Sequence, residues 1–289
     1  MARIIPQDQL IINADGSVFH LSIKPSQLKN SVILVGDPNR VAMISSLLDS
    51  VLERGENREF VWASGIYKGK EVTILSTGIG SDNIDIVMNE LDALVNVDFA
   101  TRQEKSERKS LNIVRLGTCG IINPDIEEGE IIVSRYAIGI DALMSFYCDA
   151  DNTLNYQLSN DFVSKLSWPD KMSQPYAIEC SSELHAKLST LGHDAITVTA
   201  PGFYAPQGRM VRIKPIIPEL VELISQYEFD GCKVSNLEME AAPIMSMAKL
   251  LGHNAITLCV GIAGRKKFTT NLCYHTVMRD LAKAVLERI

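Results

Sequence analysis

Arginines within apolar or glycine-rich segments are the residues most able to do chemistry in this sequence. Arg40 ends the segment Val35-Gly36-Asp37-Pro38-Asn39-Arg40, in which an apolar run meets a glycine and then an Asp-Pro pair typical of a helix start. The free N–H groups of a helix N-terminus favour an anion, Gly36 permits its close approach, and Arg40 adds a guanidinium. The segment predicts a phosphate site, and the alternative is an ordinary strand-to-helix turn with a surface arginine.

A second arginine, Arg115, interrupts an apolar strand that leads to a glycine-rich turn in Val114-Arg115-Leu116-Gly117-Thr118-Cys119-Gly120. A buried arginine needs a partner of opposite charge. One interpretation is that a bound anion bridges Arg115 and the Thr118 hydroxyl at the end of the strand. The other is that Arg115 pairs with a core carboxylate such as Glu240, and the sequence leaves both open.

The segment Phe203-Tyr204-Ala205-Pro206-Gln207-Gly208-Arg209 combines an aromatic ring, an amide and a guanidinium. This set fits a uracil ring, because the Gln207 amide can both accept from a ring N–H and donate to a ring carbonyl. Arg209 only donates, and Phe203 can flank the ring. A loop containing proline and glycine can also bring these residue types together by chance.

Two carboxylates separated by one residue occur in Asn236-Leu237-Glu238-Met239-Glu240-Ala241-Ala242, at a predicted strand-to-helix junction. The helix dipole alone favours acidic residues there. The functional interpretation is that Glu240 accepts hydrogen bonds from ribose hydroxyls while Met239 packs against the sugar.

The elements that must position these residues follow an α/β pattern, because short β-branched runs alternate with longer amphipathic stretches. No linker divides the chain, so a single domain over 1–289 is predicted, and the mixed-charge segment 98–110 is predicted to be a solvated helix extension. Strands are predicted at Val32–Val35, Phe60–Tyr67, Val72–Ser76, Ile113–Leu116, Ile131–Tyr136, Ala195–Thr199, Val234–Leu237 and Ala255–Ile262. Helices are predicted at Pro38–Leu48, Asn83–Val95, Ser182–Leu191, Ile217–Tyr227, Met239–Leu251 and Tyr274–Arg288.

Composition narrows the class of protein. The 289 residues are 46% hydrophobic and carry a net charge of −7, so the overall field would repel nucleic acid and anionic membranes. The six cysteines are dispersed and none has zinc-ligand spacing, which indicates reduced thiols and no metal site. No signal core and no membrane-length apolar run is present, so a cytoplasmic location is expected.

Together, in this order, the four motifs resemble the nucleoside phosphorylase family I, and within it the uridine phosphorylase group, over almost the whole chain. Further matching segments are Val18–Leu21, Arg58–Phe60, Ser76–Gly80 and Arg265. The resemblance implies a single-domain three-layer αβα sandwich with a mixed, partly barrel-like central sheet. It also implies reversible phosphorolysis of uridine to uracil and ribose 1-phosphate, with phosphate as co-substrate and no cofactor.

The resemblance also implies a role for each matching residue. Arg58 and His20 would reach in from a neighbouring subunit, so the protein would be a homo-oligomer, a dimer or a hexamer, with shared active sites. Arg115, Thr118, Glu240 and Arg209 would carry catalysis. The phosphate site would comprise Gly36, Arg40, Arg58, Arg115 and Thr118; the ribose site His20, Met239 and Glu240; and the base site Gly120, Phe203, Gln207, Arg209, Glu238, Ile262 and Arg265.

Departures from the family pattern bear on the substrate. Purine-specific relatives and nucleosidases carry an aspartate after the last strand, whereas this chain has no acid in Gly261-Ile262-Ala263-Gly264-Arg265. The alternatives are a phosphorylase with another preference (thymidine, deoxyuridine or a purine nucleoside) and, behind it, a non-catalytic nucleoside-binding relative. Some relatives bind a monovalent cation at a subunit interface through residues matching Glu59, Ile79 and Asn83, the last being a serine there. Cys119 stands where threonine is common and is expected to be a pocket wall, not a nucleophile.

Overall fold

The computed structural model describes residues 3–264 and 273–289. Its strands are β1 (Ser31–Val35), β2 (Ser50–Asn57), β3 (Phe60–Tyr67), β4 (Lys70–Ser76), β5 (Val97–Asp98), β6 (Gln103–Glu104), β7 (Asn112–Ile121), β8 (Ile131–Gly139), β9 (Tyr176–Glu179), β10 (His193–Thr199), β11 (Glu228–Phe229), β12 (Cys232–Glu238) and β13 (Asn254–Gly264). Its α-helices are α1 (Pro38–Ser45), α2 (Ser81–Asn96), α3 (Tyr156–Leu166), α4 (Ser182–Leu188), α5 (Leu220–Ser225), α6 (Ala241–Leu251) and α7 (Tyr274–Leu286). Among the helices of these ranges, none is both long and apolar enough to cross a bilayer.

One mixed sheet organises the chain, in the order β11-β12-β10-β8-β13-β7-β1-β4-β3-β2, with β9 beside β8. β1 runs parallel to both β4 and β7, whereas β2, β3 and β4 form an antiparallel meander. β12 pairs with β10 and, through Asn236 and Leu237, also with the end of β7. This second pairing closes β7, β12, β10, β8 and β13 into a ring, and the predicted partly barrel-like sheet is confirmed.

Helices cover the sheet in layers. α1 packs against β3, β4 and α7, whereas α6 packs against β8, β10, β13 and α2. Residues Val32–Val35 of β1 are all fully buried, although successive side chains point to opposite faces of a strand. Both faces of this central strand are therefore covered, as the predicted α/β sandwich requires.

Every predicted strand and helix is present, most with shifted ends, but the charged segment 98–110 is not a helix extension. α2 ends at Asn96, and Asp98 Oδ1 then accepts the N–H groups of Ala100 and Thr101 at 2.8 and 3.2 Å. This aspartate turn competes with helix continuation and leads into the β5–β6 hairpin. Arg102 then donates from Nε to the Ile5 carbonyl at 2.8 Å, so the segment fixes the N-terminal arm.

The strand that carries Arg115 is also longer than predicted. Thr118 and Gly120 lie within β7 rather than in a turn after it, because Gly120 pairs with Leu237 of β12 and with Ala263 of β13. The ring closure therefore extends this strand to Ile121. As a result, Thr118 and Gly120 are held by the sheet itself.

Candidate active site

A cavity of about 1150 Å³ opens where several strands reach their carboxyl ends, the usual ligand position in α/β sheets. It brings together segments that follow β1, β4, β10 and β12 with the ends of β7 and β13. The predicted site residues that line it are Gly36, Arg40, Arg115, Thr118, Gly120, Phe203, Gln207, Arg209, Glu238, Met239, Glu240 and Ile262. His20 and Arg58 do not line it, and Arg265 lies outside the described residues.

Arg40 enters the cavity from the first turn of α1. The Asp37 side chain caps this helix by accepting the Asn39 N–H at 2.9 Å, and Pro38 occupies its first position, as predicted. Arg40 is 8% exposed, and its Nη2 donates to Thr118 Oγ1 at 3.3 Å. Its Cζ lies 5.7 Å from the ring centroid of Tyr274, and its buried Nε has no hydrogen-bond partner.

No carboxylate within residues 3–264 and 273–289 forms an ion pair with Arg40. A buried charge is costly unless an opposite charge compensates it. The hydroxyl of Thr118 and the ring of Tyr274 orient the guanidinium but do not neutralise it. This corner of the cavity is therefore suited to an anion.

Arg115, by contrast, has anionic partners. Its Nη1 lies 3.2 Å from Glu238 Oε2 and donates to Cys259 Sγ at 3.4 Å, and its Nη2 donates to Glu240 Oε2. Burial lowers the pKa of the Arg115 guanidinium, but the two carboxylates more than offset this and hold the pKa above its usual value. The structure thus shows the pairing with a core carboxylate, which was the alternative interpretation of this buried arginine.

Gly117 makes room for this arrangement. A Cβ placed on Gly117 would lie 2.1 Å from Arg115 Nη1 and 2.7 Å from its Cζ, so the guanidinium folds back over its own strand. Sequence reasoning did not assign this role to Gly117. The signal was an arginine two residues before a glycine in a buried strand, because alternate residues of a strand share one face.

The two carboxylates are held differently. Glu240 Oε1 accepts the Gly80 N–H at 2.7 Å, and burial raises the pKa of this 5% exposed carboxyl. Glu238 accepts the backbone N–H groups of Glu240 and Ala241 at 2.8 to 3.0 Å and the Thr199 hydroxyl at 2.5 Å. Glu238 therefore fixes the start of α6 and the position of Arg115, and its base contact stays a prediction.

Gln207 and Arg209 form one unit at the position predicted to meet a base. Arg209 Nη1 donates to Gln207 Oε1 and to the Phe203 carbonyl, both at 2.6 Å, and its Cζ lies 3.7 Å from the centroid of the Phe203 ring. Gln207 is 3% exposed, and Gly208 (φ 68°) turns the chain between it and Arg209. A Cβ on Gly120 would lie 3.9 Å from Arg209 Nη2, which places this unit beside the end of β7.

Cys119 is a wall of the cavity. It is 4% exposed, and burial raises the pKa of its thiol well above the usual range. A thiol held protonated in this way is a poor nucleophile, in agreement with the predicted passive role.

Glu59, Ile79 and Asn83 also line the cavity. They lie around Gly78, where a Cβ would be 3.0 Å from Glu59 Cγ and 2.5 Å from Asn83 Nδ2. The sequence left a monovalent cation at these residues open, and it stays untested. Within the described ranges, no group of three histidine, cysteine, aspartate or glutamate side chains could hold a metal ion.

His20 and Arg58, the two residues predicted to reach a neighbouring subunit, are linked through Asn57, with His20 partly exposed and Arg58 exposed. Asn57 Nδ2 donates to the His20 carbonyl at 2.8 Å, and the exposed Arg58 follows at the β2–β3 turn with φ 56°. Glu90, which sequence reasoning missed, contacts His20 Nδ1 at 2.7 Å. The cavity of one chain is thus lined by most of the predicted residues but not by these two.

Residues 30–286 match the family model described as the phosphorylase superfamily. A uridine phosphorylase of Thermococcus kodakarensis is 29% identical over 251 residues, which are 87% of this chain and 79% of that protein. A DeoD-type purine nucleoside phosphorylase of Clostridium novyi is 25% identical, over 83% of this chain and 84% of that protein. A solved Trypanosoma brucei nucleoside phosphorylase, described as showing uridine phosphorylase activity, superposes with a TM-score of 0.86 at 28% identity, covering 96% and 98% of the two chains. Because the family match spans most of the sequence and the structure has the corresponding fold, this chain belongs to the phosphorylase superfamily.

Proposed function

We propose that this protein catalyses the reversible phosphorolysis of uridine to uracil and ribose 1-phosphate. The observation that carries the proposal is the buried guanidinium of Arg40, which contacts Thr118 and has no ion-pair partner among the described residues. Phosphate would supply the missing negative charge. The similarity to proteins named uridine phosphorylase, in sequence and in structure, supports uridine as the nucleoside.

The spacing of the site fits a nucleoside between phosphate and base contacts. Thr118 belongs to the proposed phosphate corner and Gly120 lies beside Arg209, and these two residues are two positions apart on β7. That corresponds to about 7 Å along the strand. A ribose ring bridges such a gap, with Met239 and Glu240 as its proposed contacts.

In the proposed reaction a phosphate oxygen attacks C1′ as the bond from C1′ to the uracil nitrogen breaks, and the bonding electron pair leaves with the base. Phosphate held by Arg40 stabilises the positive charge that develops on the sugar. Gln207 and Arg209 donate to the carbonyl oxygens of uracil, where negative charge accumulates. A preorganised donor of this kind is worth about 2.7 to 4 kcal/mol in other enzymes.

The proposal includes a second copy of the chain. Arg58 would complete the phosphate site and His20 would contact the ribose of a neighbouring subunit. Neither side chain lines the cavity of its own chain, and Asn57, the residue before Arg58, bonds to the His20 carbonyl, which supports their delivery together. A dimer, or a hexamer built from such dimers, provides this exchange.

Phosphate-dependent release of free base from a nucleoside panel tests the function. We expect release from uridine only when phosphate is present, with ribose 1-phosphate as the second product. Release without phosphate would indicate a nucleosidase, and release from inosine alone would overturn the pyrimidine preference. Release from thymidine or 2′-deoxyuridine at a higher rate than from uridine would establish another pyrimidine preference, and no release at all would indicate a binding protein.

A further inference from the structure

Glu90, on α2, is a buried carboxylate whose hydrogen bonds, within the described ranges, all go to the segment carrying His20. Its Oε1 lies 2.7 Å from His20 Nδ1 and accepts the His20 N–H at 3.0 Å, and its Oε2 accepts the Leu21 N–H at 2.8 Å. Glu90 is 8% exposed, and no lysine or arginine among the described residues pairs with it. Its negative charge is thus stabilised by this one segment, 70 residues earlier in the chain.

The contact fixes both the orientation and the tautomer of the imidazole. An ionised carboxylate only accepts hydrogen bonds, so His20 Nδ1 carries the proton and Nε2 of the neutral ring carries a lone pair. Phe19 packs edge-on against the ring at 4.8 Å between centroids. Nε2 has no hydrogen-bond partner in the described part of the chain, and the side chain is 28% exposed. His20 therefore presents a fixed acceptor to the outside.

This acceptor belongs to a small surface that we call the donor patch, made of His20, Asn57 and Arg58. Asn57 bonds to the carbonyl groups of Phe19 and His20 at 3.3 and 2.8 Å and precedes Arg58 in the chain. None of the three patch residues lines the cavity, yet Glu59, the next residue, does. The patch therefore adjoins the cavity of its own chain, and close pairing of two copies can place each patch at the cavity of the other.

We propose that Glu90 is a positioning residue that holds His20 as a hydrogen-bond acceptor for a ribose hydroxyl in the cavity of a second copy of this chain. The ribose part of this inference rests on the proposed function. The tautomer of His20 and its dependence on Glu90 are independent of that function, and they can be measured without any substrate.

Glu90→Gln tests the tautomer. If the single amide oxygen keeps the Leu21 N–H, the amide nitrogen faces His20 Nδ1 and donates to it, which moves the ring proton to Nε2. Nitrogen-15 NMR of histidine-labelled protein at pH 8.5 distinguishes the two tautomers. We expect protonated Nδ1 in the wild type and protonated Nε2 in Glu90→Gln. A wild-type His20 protonated on Nε2, or no change in the variant, would overturn the proposal.

Kinetics separate positioning from general structure. With any nucleoside that the wild type cleaves, Glu90→Gln should raise the KM for nucleoside about fivefold to tenfold and leave the KM for phosphate unchanged. The reason is that a neutral amide holds the ring less firmly than the carboxylate, and Nε2 no longer accepts the proton of the ribose hydroxyl, which must turn to accept from Nε2–H instead. An equal rise in both values, or no rise, counts against a specific effect on the sugar. If the wild type cleaves no nucleoside, the proposed function fails while the NMR result still decides the role of Glu90 toward His20.

Mixing of variants tests whether the effect crosses between chains. Arg40→Met damages the cavity and leaves the donor patch intact, whereas Glu90→Gln does the reverse. Half of the dimers in a co-refolded equal mixture are hybrids, and each hybrid has one complete site of two, so about a quarter of all sites are complete. At nucleoside concentrations well below the KM, where Glu90→Gln alone keeps about a tenth to a fifth of the wild-type rate, the mixture should exceed both parents by about 10 to 18% of the wild-type activity. The double variant Arg40→Met/Glu90→Gln, mixed with either single variant, forms no complete site and is the matched control. Failure of the first mixture to exceed its parents would overturn the proposal.

Discussion

Gly117→Ala tests whether the path of the Arg115 side chain depends on a missing Cβ. A methyl group at this position would lie 2.1 Å from Arg115 Nη1 and 2.7 Å from Cζ, well inside van der Waals contact. The φ angle of Gly117 is not in the left-handed region, so alanine meets no backbone strain there. On a strand, replacement of glycine by alanine without a clash is expected to stabilise by about 0.5 to 1 kcal/mol.

The expected loss of stability follows from the contacts that Arg115 would lose. The guanidinium is 4% exposed and pairs with Glu238 and Glu240, so its displacement leaves buried charges without compensation. Loss of one partner from a buried ion pair costs about 3 to 5 kcal/mol. We therefore expect Gly117→Ala to reduce the free energy of unfolding by about 3 kcal/mol, after allowance for the gain from alanine itself.

Urea unfolding followed by fluorescence measures this change, and Gly120→Ala on the same strand is the matched control. A Cβ on Gly120 meets atoms only at 3.9 to 4.0 Å, which is ordinary contact. Gly120→Ala should therefore unfold at or slightly above the wild-type midpoint, by the about 0.5 to 1 kcal/mol that alanine contributes on a strand, although it narrows the cavity beside Arg209. If Gly117→Ala is as stable as Gly120→Ala and keeps full activity, then the guanidinium does not require this space and the argument is wrong.

Three further changes test other parts of the site and fold. Arg209→Ala should abolish uridine turnover and preserve phosphate binding measured by calorimetry; equal loss of both would contradict its assignment to the base. Arg40→Met should remove the stabilisation against thermal unfolding that phosphate gives to the wild type. In phosphate-free buffer the variant should be nearly as stable as the wild type, because the substitution deletes a buried cation that has no carboxylate partner among the described residues. Undiminished stabilisation by phosphate would contradict this role. Burial raises the pKa of Asp141 above its usual 3.8. Below about pH 4 the carboxyl is largely neutral in both the folded and the unfolded state, whereas above the raised pKa its burial as a charged group lowers the free energy of unfolding. Asp141→Asn, which can still bond the Tyr176 hydroxyl now 2.8 Å from Oδ2, should unfold at higher urea than the wild type at pH 7.5 and at the same urea at pH 4; a less stable variant at pH 7.5 would refute this.

Much of the fold could be predicted because its central elements carry strong local signals. Phe60–Tyr67 was predicted with the observed bounds, and Asp37 and Pro38 fix the start of α1 as expected. β2 was missed because its sequence, Ser50–Asn57, is mostly polar and exposed, and it depends on pairing with β3. Segment 98–110 was misassigned because a charged sequence resembles a solvated helix until the Asp98 turn is recognised.

The residue set of the cavity was also largely predictable, but the pairing within it was not. Arg115 lies 125 positions before Glu240, and only the closure of β7 against β12 and the start of α6 brings their side chains together. No local sequence pattern indicates a contact between residues so far apart in the chain. Sequence reasoning therefore identified Arg115 as a buried arginine and left its partner open, and it gave Gly117 no role.

Charge balance in the cavity fits the proposed second copy of the chain. The charged side chains that line it, within the described residues, are three arginines, Arg40, Arg115 and Arg209, and four acids, Asp37, Glu59, Glu238 and Glu240. Arg115 is neutralised by its carboxylates, and Arg209 bonds to Phe203 and Gln207 at the proposed base position. Arg40 is therefore the described lining arginine at the corner proposed for a phosphate carrying up to two negative charges. The proposal assigns the remaining positive charge to Arg58 of the second copy. Arg58 of the donor patch is exposed, and the next residue, Glu59, lines the cavity. If two copies pair as proposed, phosphate affinity should fall when dilution separates them, even though every described cavity residue is still present.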